Sequence, residues 1–451
     1  MVTITRGLSV CVLALHLCGC TVYSQIDNNP LRDAANSGTS YSVEAFDDRL
    51  SQGDNSFILA FSGGGTRAAA LSYGVLKALR DISVETSEGN RRLIDEVDSI
   101  SSVSGGSFTS AYYGLYGDDI FKNFETEFLR TDVQRHLLDL LFNPINWFKI
   151  SHRTDWAIDY YEKNIFHGAT YTDLLKAGGP MIMINASDLT GGNGMWFTQE
   201  YFDLLCSDIL DFPLSRAVAA SSAVPGVFAP VVLENYAGCS DQQLQPLETV
   251  RAAYADSPEM STVLRSLESY ADKAKRPYIQ LVDGGITDNL GLRGLLHFTA
   301  LRGGAKNYFQ HYGRKPPRRI VIVVVNASTE SDYEMNLSNR VPSLSEVIEA
   351  MSSAQLHRYN TDTLANTQLA LEQLGRDLSR PGQPVATFLI NLNFEQVKDP
   401  EKREFLNRIP TSFSLNDTQV DALIETGGEL LRQNQEFRRL MAEFTVISTE
   451  E

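Results

Sequence analysis

Residues 57–67 read FILAFSGGGTR, and this stretch decides the fold. Five apolar residues in a row, closed by a glycine turn, predict a short buried strand, and the apolar spacing over residues 66–79 predicts a helix directly behind it. Between the two lie Gly63, Gly64 and Gly65, which have no side chains to keep a ligand away from their backbone N–H groups. With the positive end of a helix dipole behind them, these N–H groups suit a phosphate or an oxyanion.

Five further apolar runs follow along the chain, and helical patterns separate most of them. Strands that alternate with helices predict a mainly parallel sheet covered on both faces, which binds ligands at the carboxyl ends of its strands. Near the end of the chain, Asn416 and Gln419 have the spacing of a capping box and predict the start of another helix. The sequence therefore predicts the α/β class. The five runs are residues 97–103, 181–184, 279–282, 320–325 and 387–392.

The first of these runs ends at a serine. Ser104 follows residues 97–103 directly, and a new helical pattern begins just after Gly105 and Gly106. A serine on a tight turn between a strand and a helix is the arrangement in which a nucleophile projects above a sheet. In the Gly-x-Ser-x-Gly pattern of such turns, Ser102 replaces the first glycine, which is a small steric change. A plain turn serine gives the same pattern, so the turn by itself leaves both interpretations open.

A third glycine-marked turn supplies a carboxylate. Asp283 ends an apolar run and is followed by Gly284 and Gly285, so its side chain could reach across to the serine turn. Asp-Gly is also a common turn signal, which leaves a purely structural role open. A serine nucleophile needs a base. No histidine of the mature chain lies in such a turn, and His297, which gives a formal Ser-Asp-His order, falls inside a predicted helix. The six histidines are His136, His152, His167, His297, His311 and His357.

The glycine turn also fits a different class of enzyme. Gly63, Gly65 and Ala68 satisfy a loose dinucleotide-binding fingerprint, which would make the chain a nicotinamide or flavin enzyme. That interpretation needs an acidic residue about 20 positions further on, at the end of the second strand. Asp81 and Glu85 are near this spacing but follow no clear strand. The Rossmann-type dinucleotide interpretation is therefore the weaker one.

The three turns, in this order, resemble the patatin-like phospholipase family. Two further segments are similar to that family: residues 185–191, between the serine and aspartate turns, and the small-residue and proline segment 217–230. The resemblance implies a three-layer α/β/α sandwich with a mainly parallel central sheet. It also implies a catalytic dyad without histidine, in which Ser104 is the nucleophile and Asp283 the general base. Ala68 departs from the family pattern, which prefers glycine at that position.

The same resemblance implies the rest of the site and the reaction. Backbone N–H groups of the two glycine-rich turns, helped by Arg67, would hold the oxyanion of a tetrahedral intermediate. The implied activity is phospholipase A-type hydrolysis of acyl esters in membrane phospholipids, which needs no cofactor and no metal ion. A non-catalytic envelope lipoprotein that uses the fold for interactions is the alternative, and no protein partner is implied. The implied N–H donors are Gly63, Gly64, Gly65 and Gly105.

The charge balance restricts the partners. The 451 residues include 39 basic and 56 acidic ones, a formal net charge of −17, and 43% of them are hydrophobic. This composition is that of an ordinary globular protein. So acidic a surface repels phosphodiester backbones, which argues against nucleic acid as a partner. It should also be repelled by anionic membranes, so zwitterionic phospholipid is the expected substrate.

The first twenty residues have the features of an export signal. Arg6 precedes an apolar stretch, residues 8–17. That stretch is too short to span a bilayer of about 30 Å and is typical of a signal-peptide core. Residues 17–20, LCGC, resemble the lipobox of bacterial lipoproteins. The resemblance implies acylation of Cys20, export and, because no acidic residue directly follows Cys20, anchoring in the outer membrane. An ordinary cleaved signal peptide is the alternative.

These features divide the chain into four regions. In the catalytic region, the apolar segment 137–150 is either a lid that docks on lipid or part of the core. Cys206 and Cys239 permit one disulfide, and their pairing stays open. A long insertion relative to the family, about residues 233–276, has no assigned role. The four regions are a signal peptide (1–19), a polar tether (20–55), a patatin-like catalytic domain (56–301) and a C-terminal α/β extension packed on the same unit (302–451).

Overall fold

The computed structural model describes ten stretches of the chain. The predicted signal peptide, Cys20 and the apolar segment 137–150 lie outside them. The described residues are 23–31, 40–50, 54–86, 89–133, 153–239, 247, 250–252, 254–301, 315–330 and 337–447.

A central sheet of eight strands organises the fold. Its strand order is β8-β7-β1-β2-β3-β6-β5, and β4 also pairs with β3. The strands from β8 to β3 in that order run parallel, whereas β4, β5 and β6 are antiparallel to their neighbours. All six predicted strands are present, and the mainly parallel α/β sheet is confirmed. The strands are β1 Asn55–Phe61, β2 Ser99–Val103, β3 Met181–Asp188, β4 Gly194–Trp196, β5 Val231–Glu234, β6 Tyr278–Asp283, β7 Arg319–Val325 and β8 Ala386–Leu392.

Helices connect and cover these strands. Short single-turn helices and two small two-stranded pairings complete the described structure; one is a hairpin, and the other joins Asn29–Pro30 to the distant Ser207–Asp208. Among the described helices, none is long and apolar enough to cross a membrane. The helices are α1 Val43–Leu50, α2 Gly65–Arg80, α3 Gly105–Tyr116, α4 Ile120–Phe124, α5 Arg153–Tyr161, α6 Tyr171–Ala177, α7 Gln199–Leu204, α8 Leu214–Ser221, α9 Pro258–Ser269, α10 Gly285–Asp288, α11 Arg293–Leu301, α12 Leu344–Leu378, α13 Pro400–Asn407, α14 Asp417–Gln433 and α15 Gln435–Ile447.

The sheet is the middle layer of three. Side chains of successive strand residues point to opposite faces, so alternate residues of β7 belong to two separate apolar cores. Val321 and Val323 lie in the larger core with residues of α2 and α14, and Ile322 lies in a smaller core with Leu371 and Leu378 of α12. Helices therefore cover both faces of the sheet, which confirms the predicted α/β/α sandwich.

The C-terminal part of the chain shares this sheet. β7 and β8 extend it beyond β1, and α14 packs across α2 at two glycines. A Cβ atom at Gly74 would lie 2.2 Å from the carbonyl oxygen of Ile424, and one at Gly427 would lie 2.5 Å from that of Leu71. Only glycine allows the two helices to approach this closely. α14 begins at Asn416 with the capping box that its sequence predicts.

The region predicted as a tether carries more structure than its polar composition indicates. Tyr41 is completely buried, and its hydroxyl both donates to the carbonyl oxygen of Ile182 at 3.1 Å and accepts from its N–H at 2.7 Å. Ile182 needs these partners because β4, the neighbour of β3 on that side, pairs only with residues 185–187, which leaves the first half of β3 unpaired there. A few buried side chains thus bind this segment to the sheet edge.

Cys206 and Cys239 form a disulfide. Their Cα atoms are 5.4 Å apart, within the usual range for such bridges. The bond joins the end of the α7 region to the loop after β5. The question that the sequence left open is thereby answered.

Candidate active site

Ser104 occupies the sharp turn between β2 and α3. Its backbone has φ 49° and ψ −119°, a conformation that non-glycine residues rarely adopt and that costs about 1–3 kcal/mol. The Ser104 N–H donates to the side-chain oxygen of Ser221 at 2.8 Å. The side chain is nearly buried, at 5% exposure for the residue. The turn therefore has the geometry of a nucleophile elbow.

The serine turn packs directly onto the glycine turn. A Cβ atom at Gly105 would lie 2.0 Å from the carbonyl oxygen of Gly65, and one at Gly106 would lie 2.7 Å from Cβ of Phe61. A Cβ at Gly63 would lie 3.4 Å from Cβ of Ser104. The small residues are needed because the backbones at the ends of β1 and β2 nearly touch.

Asp283 reaches the serine turn by a route that the sequence did not predict. The sequence suggested that Ser104 and Asp283 both follow the carboxyl ends of parallel strands, but β6 runs antiparallel to β3. β3 continues three residues beyond its last pair with β2, in which Asn185 lies opposite Val103, and β6 pairs with this extension. Because β6 runs back along it, Asp283 ends opposite Ala186, one residue from the level of the serine turn.

The Asp283 carboxylate is buried and hydrogen-bonded. It accepts the Gly285 N–H at 2.8 Å, and the Ser104 side chain also stabilises its ionised form. Burial raises the pKa of Asp283 from 3.8 to about 6, against the lowering effect of these two interactions. A carboxylate with a pKa near the working pH is a better proton acceptor than an ordinary one.

The small-residue segment 217–230 holds the two residues in place. Ser221 accepts from the Ser104 N–H and donates to the carbonyl oxygen of Asn185 at 2.5 Å. Ala223 accepts the Asp283 N–H at 2.9 Å through its carbonyl oxygen. The sequence resemblance covers this segment without giving Ser221 a role. No local signal distinguishes Ser221 from the neighbouring serine, because its importance comes from contacts with three distant strands.

The glycine turn presents backbone donors. Gly64 and Gly65 have φ values of 139° and 60°, which only glycine adopts without strain. Within the described part of the chain, no acceptor takes the N–H groups of Gly64, Gly65 or Gly105. The N–H of Gly63 instead donates to the carbonyl oxygen of Asn289 at 3.0 Å. The Gly63 donor is therefore already engaged, which leaves Gly64, Gly65 and Gly105 as the available donors of the predicted oxyanion hole.

Arg67 is turned away from the serine. Its Nε donates to the carbonyl oxygen of Ala327 at 2.9 Å, and its Nη1 donates to that of Ile409 at 2.5 Å. Nη2 donates to the Thr411 hydroxyl at 3.0 Å. Burial lowers the pKa of Arg67 to about 10. The guanidinium therefore fastens residues 409–411 to the glycine turn, so the structure gives Arg67 a supporting position beside the predicted oxyanion hole.

The remaining sequence candidates lie away from this centre. His297 contacts Glu259 at 3.2 Å, and none of the described histidines bonds to Ser104 or Asp283. Asp81 forms a surface pair with Arg80, and the strand after it belongs to a separate hairpin rather than to the main sheet. The acidic residue that a dinucleotide site needs is therefore absent from its position. Among the described residues, no three acidic, His or Cys side chains could hold a metal ion together.

A polar cavity of about 270 Å³ lies beside the glycine turn. Asn289 connects the two, because its carbonyl oxygen accepts the Gly63 N–H and its side chain donates to Ser328 of the cavity wall at 3.3 Å. The side-chain oxygens of Asn391 and Asn393 are buried there and have no hydrogen-bond partner among the described residues. The lining residues, which include no Lys or Arg, are Asn326, Ser328, Thr329, Glu330, His357, Asn360, Thr361, Leu364, Asn391, Asn393, Phe394 and Glu395.

Exposed apolar side chains surround the aspartate turn. Val224 follows the residue that bonds to Asp283, and Val227 lies in the same loop. Ile286 follows the two glycines of the aspartate turn. All three are exposed, at 36%, 55% and 51% respectively. Exposed apolar side chains grouped around a polar centre are typical of sites that meet a hydrophobic partner.

Comparison with known proteins gives the family. The model of the family described as patatin-like phospholipase matches residues 59–296, more than half of the chain. No curated protein matches the sequence significantly.

Similar solved structures share the fold only distantly. Human GIVD cytosolic phospholipase A2 in complex with methyl gamma-linolenyl fluorophosphonate has 13% identity and a TM-score of 0.42, over 86% of this chain and 59% of that one. Without that compound, the human enzyme has 12% identity and a TM-score of 0.42, over 95% of this chain and 66% of that one. VipD from Legionella pneumophila has 11% identity and a TM-score of 0.30, over 96% and 73%. The chain thus spans less than two thirds of the human phospholipase. From its family match and its three-layer fold, the chain belongs to the patatin-like phospholipase family.

Proposed function

We propose that this chain is a serine lipid acyl hydrolase of the phospholipase A type, which cleaves acyl esters of membrane phospholipids. The observation that carries the proposal is the position of Ser104, on its sharp turn, beside the buried Asp283 carboxylate, whose ionised form the Ser104 side chain stabilises. The N–H groups of Gly64, Gly65 and Gly105, which have no acceptor among the described residues, support an oxyanion hole beside it.

In the first half of the proposed reaction, Asp283 takes the hydroxyl proton as Ser104 Oγ attacks the ester carbonyl carbon. The carbonyl oxygen becomes an oxyanion, which accepts hydrogen bonds from the N–H groups of Gly64, Gly65 and Gly105. The C–O bond to the glycerol then breaks, and the protonated Asp283 returns its proton to the leaving alkoxide. The products are a lysophospholipid and an acyl ester on Ser104.

In the second half, water takes the place of the alcohol. Asp283 accepts a proton from the water as its oxygen attacks the acyl-Ser104 carbonyl. The same N–H groups hold the second oxyanion. Breakdown releases the fatty acid, and Ser104 regains its proton from Asp283. The elevated pKa of Asp283 supports both proton transfers near neutral pH.

The polar cavity beside the glycine turn supports a neutral or zwitterionic headgroup. Its lining includes the carboxylates of Glu330 and Glu395 and no cation, and the oxygens of Asn391 and Asn393 lack donors. Such a cavity attracts hydroxyl or ammonium donors and disfavours a headgroup with net negative charge. The net charge of −17 argues in the same direction. Phosphatidylcholine and phosphatidylethanolamine are therefore the substrates to measure first.

The decisive test is fatty-acid release from phosphatidylcholine micelles and vesicles. We expect activity in the wild type and at background level only in Ser104→Ala and Asp283→Asn. Ser110→Ala serves as the matched control. It removes a buried hydroxyl from α3, the helix that follows Ser104, and this hydroxyl bonds Ser102 rather than the dyad. Activity that persists in Ser104→Ala would rule out the serine mechanism. A folded wild type without activity on any phospholipid would favour the non-catalytic alternative.

We also propose that the chain is exported and anchored to the bacterial outer membrane through an acylated Cys20. The signal-like residues 1–19 and the lipobox-like LCGC support this, and so does the Cys206–Cys239 disulfide, since such bonds persist in oxidising compartments. Labelled palmitate should be incorporated by the wild type and not by Cys20→Ser. Cys18→Ser is the control and should retain the label. Incorporation in both variants would contradict an anchor at Cys20.

A further inference from the structure

A second concave surface lies at the opposite end of β6 from Asp283. It is an open groove of about 650 Å³ between α9, the turn after β3 and residues 275–280. Gln280 in its wall is three residues of extended strand from Asp283, or about 10 Å. α9 and Lys275 belong to the insertion 233–276, for which the sequence suggested no role.

The groove is cationic in a strongly acidic protein. Arg265, Lys275 and Arg276 line it, and no carboxylate does. Two of the three cations have acidic partners: Arg276 bonds Asp188 at 2.5 Å, and Lys275 pairs with Asp272 at 2.6 Å on the exposed surface. Among the described residues, Arg265 is thus the one of the three without an acidic partner.

Arg265 has donors to spare. Its described contacts are with the carbonyl oxygen of Ser261 at 3.3 Å and the hydroxyl of Thr262 at 3.2 Å, both on its own helix. Neither acceptor is charged. Such a guanidinium is available to bind two oxygens of one anion at once, because its N–H donors lie in a single plane.

Ser266 provides a second, independent sign of a ligand. It also lines the groove and is only 7% exposed, and its hydroxyl has no hydrogen-bond partner among the described residues. A buried hydroxyl without a partner costs about 1–3 kcal/mol, so such groups are normally paired by a ligand or water. Because Arg265 and Ser266 both line the groove, a single anion bound there can meet both.

Arg276 is held rigidly at the other side of the groove. Its guanidinium bonds Asp188, Thr190 at 3.1 Å and Ser269, and it lies over the Tyr270 ring at 4.9 Å. These contacts hold one wall of the groove before any ligand arrives. Preorganisation of this kind reduces the entropy cost of binding.

We infer that this groove is a phosphate-binding site, separate from the Ser104–Asp283 centre. One phosphate group, free or in a lipid headgroup, accepts hydrogen bonds from Arg265 and Ser266 and lies within the field of Lys275 and Arg276. The inference does not depend on hydrolysis. It gives the insertion a role in recognising an anionic group that the rest of the acidic surface repels.

The test measures binding by the full chain. Inorganic phosphate is titrated by calorimetry, and vesicles of phosphatidylcholine with or without phosphatidic acid are sedimented in a Ser104→Ala background. Arg265→Gln and Ser266→Ala are compared with Arg408→Gln, which removes the same charge from an exposed site on another helix. Any contribution of the N-terminus is common to both vesicle types.

Saturable phosphate binding that weakens about tenfold in Arg265→Gln and Ser266→Ala, and not in Arg408→Gln, supports a site for free phosphate. Binding that depends on Arg265 only when the vesicles contain phosphatidic acid supports a lipid headgroup as the ligand of this groove. Absence of both, or equal weakening by Arg408→Gln, overturns the inference. In the absence of phosphate, Ser266→Ala should have a Tm no lower than that of the wild type, because the Ser266 hydroxyl has no hydrogen-bond partner among the described residues.

Discussion

At the scale of the residue, the chemistry rests on the burial of one carboxylate. Asp283 lies in the protein interior, and its pKa of about 6 reflects the removal of water from around its charge. The interactions with Gly285 and Ser104 offset only part of that effect. Burial therefore makes Asp283 a better base and at the same time makes its ionised form a cost to the folded state.

The kinetic consequence is a pH dependence below neutrality. Only ionised Asp283 accepts the proton of Ser104, so kcat/KM on phosphatidylcholine should rise with pH and level off above about 6. Below that pKa it should fall about tenfold per pH unit. A pH–rate profile on a short-chain substrate checks this. A midpoint near 4, the value of an ordinary aspartate, would contradict the burial argument.

The thermodynamic consequence is a gain in stability on removing the charge. The pKa in the folded state, about 6, lies above the ordinary value of 3.8. Ionisation therefore destabilises the fold as pH rises through this interval. Asp283→Asn should raise the free energy of unfolding by about 2–3 kcal/mol above pH 6, and the gain should vanish below about pH 4. Urea unfolding at pH 8 and pH 4 measures it. A loss of stability at pH 8 would show that the carboxylate is favourably placed.

At the scale of the element, the site depends on close contact between two strand-to-helix turns. Gly105 of the serine turn faces the carbonyl oxygen of Gly65 in the glycine turn. This contact brings the donors of both turns to the same side of Ser104. A second contact fastens residues 409–412 onto the glycine turn through Arg67.

The turn contact leaves no room for a side chain. In Gly105→Ala the new Cβ would lie 2.0 Å from the Gly65 oxygen, so the two turns must separate. We expect fatty-acid release to fall at least 100-fold, since misplacement by about 1 Å can cost that much. Gly194→Ala is the control, because its new Cβ would meet only Thr287 at an ordinary 3.6 Å. Equal losses in the two variants would argue against the contact.

The Arg67 contact should matter for stability. Arg67→Met leaves the carbonyl oxygens of Ala327 and Ile409 without donors, and we expect a loss of about 3 kcal/mol in the free energy of unfolding. Arg80→Met, at the other end of the same helix, removes a surface pair with Asp81 and a contact with the Phe121 ring, and should change stability by about 1 kcal/mol or less. Chemical denaturation compares them. Similar values for both variants would contradict the assigned role of Arg67.

At the scale of the whole molecule, contacts between distant parts of the chain complete the fold. β7 and β8 come from the C-terminal third, and they form one edge of the sheet that carries the dyad. The Cys206–Cys239 disulfide joins the end of the α7 region to the loop after β5 near the other edge. The dyad lies between these two stabilised edges.

The disulfide closes a sequence separation of 33 residues. The double variant Cys206→Ser, Cys239→Ser should lose about 3–4 kcal/mol, because its unfolded chain is less restricted. Thermal unfolding with and without reductant measures the effect. Reductant should lower the Tm of the wild type and leave that of the double variant unchanged. A wild type whose Tm does not respond to complete reduction would contradict this stabilisation.

The sequence by itself determined the parts of the protein that are coded locally. Apolar runs predicted six strands, and the Asn416 capping box predicted the start of α14. The order of the three turns predicted the family and singled out Ser104 and Asp283. These features are readable because burial along a segment and the absence of a side chain are properties of neighbouring residues.

Only the tertiary structure decided how these parts meet. It made β6 antiparallel, engaged the Gly63 N–H with Asn289 and turned Arg67 toward the C-terminal chain. It also gave Ser221 its position between β2 and β3. Apolar periodicity reports that a strand is buried but not its direction, and the partner of a polar group is set by residues far away in the chain. For that physical reason the donors and supports of the site could not be chosen from sequence.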